Sequence, residues 1–151
     1  MEQTAQTTAT ADLLNAIYKN VKMASDALLN LMPKVKDEKL KNDMTVQLSV
    51  YEGFASRAAK LLAEEGAKPE EEGTMTKLCS KMGMAMNTMR DSTASHLAEM
   101  IIEGSTMGIN DILKQIREAE KKHVTGEPLH LAQHLCEYEE KRVEDMKKYL
   151  Q

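Results

Sequence analysis

An all-helical bundle is the fold class this sequence predicts, and three observations predict it. Residues that favour helices (Ala, Leu, Met, Glu, Lys) dominate, while strand formers are scarce: four Tyr, one Phe and no Trp. Apolar residues recur at steps of three and four over four long stretches, which is the period of a helix with one buried face. Gly and Pro punctuate the chain between those stretches, at Pro33, at Gly66 and Pro69, at Gly73 and in "TGEP" at 125–128. A chain of 151 residues suits one core, so 1–151 is expected to be a single helical-bundle domain.

The polar, Thr-rich start "MEQTAQTTA" reads as a flexible N-terminus over 1–9, and the first helix is expected over about 10–32, where Pro33 stops it. Leu14, Ile17, Val21, Ala24, Leu28 and Leu31 form its apolar stripe, with Asp12, Asn15, Lys19, Lys22, Asp26 and Asn30 on the far side. The second helix, at about 36–65, buries Leu40, Met44, Tyr51, Phe54, Ala58 and Leu62. Gln47 sits inside that stripe, and Glu52 lies about 100° round from Tyr51, so this core takes polar groups. Residues 67–92 form a crossover containing a short Met-rich helix at about 74–90, in which Met75, Leu78, Cys79, Met82, Met86 and Met89 share one side. The Met run "MGMAM" beside Cys79 suggests thioether copper ligation, but Met84 points away from the others, and packing explains the stripe better.

Polar "RDSTAS" opens the third helix, expected over about 93–122. Its core arc is Ala94, Leu97, Ala98, Ile101, Ile109, Ile112 and Ile116, with Gly104, Ser105 and Gly108 small enough to admit a neighbouring helix. Whether the Met-rich piece and this helix form one element over 74–122 or two is open at this level. Pro128 suits the first turn of the last helix, at about 128–150, whose buried face is Ala132, Leu135, Cys136, Val143, Met146 and Leu150.

Glu139 falls at the centre of that last apolar face. A buried carboxylate must be hydrogen-bonded, paired or protonated, because an isolated buried charge costs several kcal/mol, on the order of a large fraction of a domain's stability. Tyr51 is the expected donor, with Gln47 and Tyr18 in reserve, giving a buried polar network that fixes helix register. The functional alternative makes Glu139 a metal ligand or proton acceptor.

Four long helices with an extended connection between the second and third resemble the ferritin-like fold, and the chain is most similar to short bacterial members of that superfamily. The resemblance implies a dimetal centre held by a Glu from each of two helices and a Glu-x-x-His from each of the others. That set is degenerate here. The first helix has no inward acid, the second offers Gln47 and Tyr51 where Glu-x-x-His would lie, and Arg142 follows Glu139 at the fourth helix. The literal matches Glu120 to His123 and Glu127 to His130 flank the "VTGEP" turn, at the wrong height for a mid-bundle site.

Two further pairs have the spacing that lets side chains share an ion: His134 with Glu137, on the solvent face, and His96 with Glu99. Within "STASHLAEMIIEGSTMG", His96, Met100, Glu103 and Met107 form one line opposite the core arc, and its two methionines call for a cover. The crossover helix folding back on the third helix is one candidate cover and a second copy of the chain is the other; among assemblies a symmetric dimer leads, so the line is a candidate homodimer interface.

The expected function is therefore a non-catalytic ferritin-like bundle, an assembly or binding module, with no cofactor. The alternative is a divergent iron-binding or oxidoreductase-type member using Glu139 with Glu52, His96, Glu99 and Glu103. A net charge of −4 without a basic face, and few aromatic rings, argue against nucleic acid. No apolar run nears the roughly 20 residues of a bilayer span, and the start lacks a secretory pattern, so the expected location is the cytoplasm without a membrane partner. Cys79 and Cys136 form no CxxC and read as reduced thiols.

Overall fold

The computed structural model describes residues 2–70 and 91–151, which form four packed α-helices with no strand among the described residues. These are α1 (Glu2–Leu31), α2 (Glu38–Glu64), α3 (Ala94–Lys121) and α4 (Glu127–Met146), with single 3-10 turns at Met32–Lys34 and Lys147–Tyr149. The expected Met-rich helix at 74–90, with Cys79, lies outside the described residues.

Local chemistry sets the helix ends. Asp37 caps α2 by accepting from the Leu40 N–H at 2.9 Å, and the Thr93 hydroxyl caps α3 by accepting from the His96 N–H at 3.2 Å. At the far end of α2, Gly66 (φ 74°) takes the left-handed conformation that lets the Ala67 N–H reach back to the Leu62 carbonyl at 2.8 Å. The end of α3 makes the same closure with a non-glycine residue: His123 has φ 63°, and the Val124 N–H reaches the Ala119 carbonyl at 3.0 Å. A left-handed conformation costs a residue with a Cβ roughly 1–2 kcal/mol. His123→Gly is therefore expected to raise stability by about 0.5–1 kcal/mol in chemical denaturation, because the carbonyl that Gln6 uses is unchanged. Equal or lower stability would show that the His123 side chain contributes more than its backbone costs.

Long-range hydrogen bonds give the helix directions. The Gln6 amide at the start of α1 donates to the His123 carbonyl just past α3 at 2.6 Å, so α1 and α3 are antiparallel. Arg57 near the end of α2 meets Glu127 at the start of α4 at 2.7 Å, and the Tyr149 hydroxyl donates to Asp43 near the start of α2 at 2.5 Å, so α2 and α4 are antiparallel too. The N–H of Gln151 reaches the Ser95 hydroxyl at 3.2 Å, which sets α4 antiparallel to α3. It follows that α2 and α3 run the same way.

The core contains the expected stripes. Leu14, Ile17, Leu40, Met44, Leu97, Ile112 and Leu135 are all at most 1 % exposed. Four differences have physical causes. The helix α1 begins at Glu2 rather than near residue 10: Ala9 and Thr10 are buried, and Gln6 ties this first part to the end of α3, contacts that a polar composition does not reveal. Asn15, placed on the solvent side, is buried because its Oδ1 accepts from the Glu70 N–H at 2.9 Å, while Lys19 pairs with Glu70 at 2.7 Å. Glu52 is exposed, leaving Gln47 as the polar guest of the α2 stripe. Leu150, expected in the α4 face, is 40 % exposed, because the 3-10 turn after Met146 breaks the α-helical phase.

Candidate functional site

Three helices bring polar side chains to one buried point. Tyr51 from α2, Ser105 from α3 and Glu139 from α4 are at most 7 % exposed, and the Tyr51 hydroxyl donates to Glu139 Oε1 at 2.5 Å. Each position follows from the apolar stripe of its helix. Tyr51 lies one turn from Gln47 and between Met44 and Phe54, while Glu139 follows Leu135 and Cys136 on the buried line of α4.

Burial pushes the Glu139 carboxyl above its ordinary value of 4.5, against the opposing pull of the hydrogen bonds from Tyr51 and Ser105 and of the Arg142 charge. Tyr51 is pushed well above its ordinary value, first by burial and then by the Glu139 charge, and so stays a protonated donor. Arg142 is the nearby cation on α4, but it pairs with Asp145 and its guanidinium stacks 5.3 Å from the centre of the Tyr138 ring. Burial, followed by the charges of Glu140, Glu139 and Glu137, pushes the Cys136 thiol up to about 11, which keeps it protonated and a poor nucleophile at neutral pH.

Beside this cluster lies a cavity of about 280 Å³. Met23, Ala24, Ala27 and Leu28 of α1 form one wall and Met100, Ile101, Gly104 and Met107 of α3 the other, with Gln47, Tyr51, Ser105 and Glu139 supplying the deep polar part. Exposed Glu103 and Met107 mark its outer rim. The α1 and α3 walls are pinned by Asn20, whose buried side-chain amide donates to the Gly108 carbonyl at 3.2 Å. A Cβ on Gly108 would stand 3.4 Å from Asn20 Oδ1, in contact with it, so the two helices lie close together at this level.

Gln47 is the telling member of the lining. It is 0 % exposed, yet neither its Oε1 nor its Nε2 has a hydrogen-bond partner. An unpaired buried polar group costs about 1–3 kcal/mol, so a fully buried amide with both ends unmatched calls for an explanation in function or bound solvent.

The expected network residues therefore divide. Tyr51, Gln47 and Glu139 share the cavity, and Tyr51 is the direct partner of Glu139. Tyr18 is not among the lining residues; it is half-buried, with the Lys22 ammonium 5.7 Å from its ring centre. Of the line His96, Met100, Glu103 and Met107, the last three border the cavity, whereas His96 stands outside it, 3.8 Å from Glu99. The alternative iron set of Glu139, Glu52, His96, Glu99 and Glu103 is not gathered: Glu52 and Glu99 are exposed, and no group of three His, Cys, Asp or Glu side chains among the described residues is placed to hold a metal ion. The helical phases that bury Glu139 turn the other acids outward or to the rim.

Ser105, Asn20 and the α1 wall are the members that the sequence reading did not assign to a site. Asn20 was detectable, since it lies three residues after Ile17 and four before Ala24 on the apolar stripe.

The described residues define an arrangement of four packed helices with a largely apolar cavity between α1 and α3 that ends in a few polar groups, and none of these helices is long and apolar enough to cross a membrane. No family model, curated protein or solved structure matches the chain.

Proposed function

We propose that this chain is a non-catalytic binding module of ferritin-like topology, and that the cavity between α1 and α3 is its ligand site. The observation that carries the reading is Gln47, a fully buried amide with no partner that lines a space walled by thioether, methyl and isobutyl groups. Such a mixture of apolar walls and a few convergent polar groups is what small-molecule sites are built from, and the volume is close to the lower end of their range of about 300–1,000 Å³. The ferritin-like part is supported by the helix directions: α2 and α3 run the same way, as the second and third helices of that fold do. With the inward ligand positions held by Gln47 and Tyr51, the bundle interior serves organic recognition better than a dimetal centre.

Thermal shift with a panel of small amphipathic fragments tests the binding reading. Fragments are expected to raise the melting temperature of the native chain, and Ala27→Phe, which fills the cavity from the α1 wall, is expected to abolish the shift while leaving the helical circular dichroism intact. A panel without effect on the native chain, or with the same effect on the filled variant, would count against the site.

Pairing of two copies is a second reading, favoured by one observation: half-buried Met100 and exposed Met107 (41 %) stand on one line of α3. On this reading Met107→Glu shifts the species seen in sedimentation velocity toward monomer. A monomer both before and after the substitution would dismiss it.

A further inference from the structure

The charge and hydrogen-bonding chemistry of the cavity restrict what it accepts, and this inference rests on the reading of the cavity as a ligand site. We infer that the site takes a small organic cation, a primary alkylammonium, with its nitrogen between Glu139 and the Gln47 carbonyl oxygen and its alkyl chain along Met100, Met107 and Leu28.

Three observations converge on that class. No Lys, Arg or His is among the described lining residues, whereas carboxylates stand at both ends, Glu139 in the interior and Glu103 at the rim. The interior acceptors are Glu139, which Tyr51 and Ser105 serve with neutral hydroxyls and no cation, and Gln47 Oε1, which accepts nothing. An ammonium carries three donors and no acceptor, so it answers the two acceptors, Glu139 and Gln47 Oε1, and leaves the Gln47 Nε2 donor, which also has no partner in the protein, to other groups; the Tyr51 ring adds an electron-rich wall. Between the polar interior and Glu103 at the rim the walls are largely methionine, alanine and leucine, which suit an unbranched alkyl chain.

The energetics favour the same class. A carboxylate that is 3 % exposed is costly to keep charged, and its neighbouring cation Arg142 is engaged with Asp145 and stacked on Tyr138. A bound ammonium supplies an opposite charge next to the buried carboxylate, so the desolvation cost of Glu139 is offset on binding. A neutral alcohol of the same length gains the apolar contacts without that offset. A carboxylate ligand is repelled by both Glu139 and Glu103.

Isothermal titration of the full chain at neutral pH with n-pentylammonium, 1-pentanol and pentanoate tests the inference. The ammonium is expected to bind at least about tenfold more tightly than the alcohol, a difference of about 1.4 kcal/mol, and pentanoate is expected not to bind. Glu139→Gln keeps the shape and an acceptor for Tyr51, and is expected to cost the ammonium about tenfold while leaving the alcohol unchanged. Alcohol and ammonium binding equally would overturn the cation inference and leave the cavity reading standing. An ammonium affinity indifferent to Glu139→Gln has the same meaning, and the comparison of three ligands on the native chain decides the matter even if that variant misfolds. Binding by none of the three overturns both.

Discussion

Gln47→Leu makes this protein more stable, by about 1–3 kcal/mol, which corresponds to a rise in melting temperature of about 2–4 °C for each kcal/mol in a chain of this size. The expected gain comes from removing an amide that makes no hydrogen bond within the protein. Gln47 is 0 % exposed, neither polar atom of its amide has a partner, and leucine fills nearly the same volume on an α2 face already formed by Met44, Tyr51 and Phe54. The same substitution is expected to abolish the binding of n-pentylammonium. A stabilising change that removes an activity is the behaviour of a residue kept for function at the expense of the fold. Should denaturation show Gln47→Leu to be less stable than the native chain, the amide has partners in solution and its status as the ligand-seeking group of the cavity is lost.

Glu139 carries the second large effect, and its sign depends on the replacement. Glu139→Ala strips the acceptor from the Tyr51 hydroxyl, which is 2 % exposed on its residue, and enlarges the cavity, so a loss of about 2–4 kcal/mol is expected. Glu139→Gln retains an acceptor and removes a buried charge, so it is expected to stay within about 1 kcal/mol of the native chain or to exceed it. The two variants separate further with pH. Because burial raises the folded carboxyl above its ordinary value of 4.5, the folded state holds the proton more tightly than the unfolded chain does. The stabilisation from this group is fully present below the unfolded value and is lost as pH rises through the raised folded value. Glu139→Gln does not titrate, so its stability relative to the native chain is expected to increase upward across that window. Other groups also titrate, Asp111 raised by burial and Asp91 lowered by its hydrogen bonds to Thr93, but they are common to both proteins and cancel in the difference. Urea denaturation of the pair at several pH values reads the effect, and a difference that stays flat, or falls with rising pH, would falsify the assignment of Glu139 as a destabilised buried carboxylate.

The sequence spoke most clearly where periodicity is strong. Leu40, Met44, Tyr51, Phe54, Ala58 and Leu62 mark the buried face of α2 at helical steps, and Pro33, Gly66, the polar run at 90–95 and Pro128 mark helix ends by chemistry that acts within a few residues. Glu139 stood out because a carboxylate on an apolar line contradicts its surroundings, and Tyr51 stood out as the group able to answer it. The pairing across helices was less visible. Asn15 is buried only because the Glu70 backbone comes to it from 55 positions away, and the N-terminal part of α1 is held by a backbone carbonyl on the far side of the chain. Leu150 kept its place in the pattern but lost its burial when the helix tightened into a 3-10 turn.

The line of Met100, Glu103 and Met107 shows the same limit from another direction. Its phase on α3 placed it opposite the core arc, and it read as an outward stripe in need of a cover. In the fold these residues stand at the edge of the space between α1 and α3, and that space leads to Gln47 and Glu139. A helical wheel gives the direction of a side chain but not the separation of the two helices it lies between. Asn20 ties the two helices together at one level through the Gly108 carbonyl, while the methionines line the cavity beyond it.

The central claim is that this cavity binds a ligand through Gln47. Its most direct test is an NMR titration of the native chain with n-pentylammonium, observing the methionine methyl groups and the side-chain amides. Saturable, concerted shifts of the Met100 and Met107 methyls and of the Gln47 side-chain NH2, absent in Ala27→Phe, are the predicted result. Resonances of Gln47 and the two methionines that stay fixed throughout the titration, or that move identically in the filled variant, would contradict it.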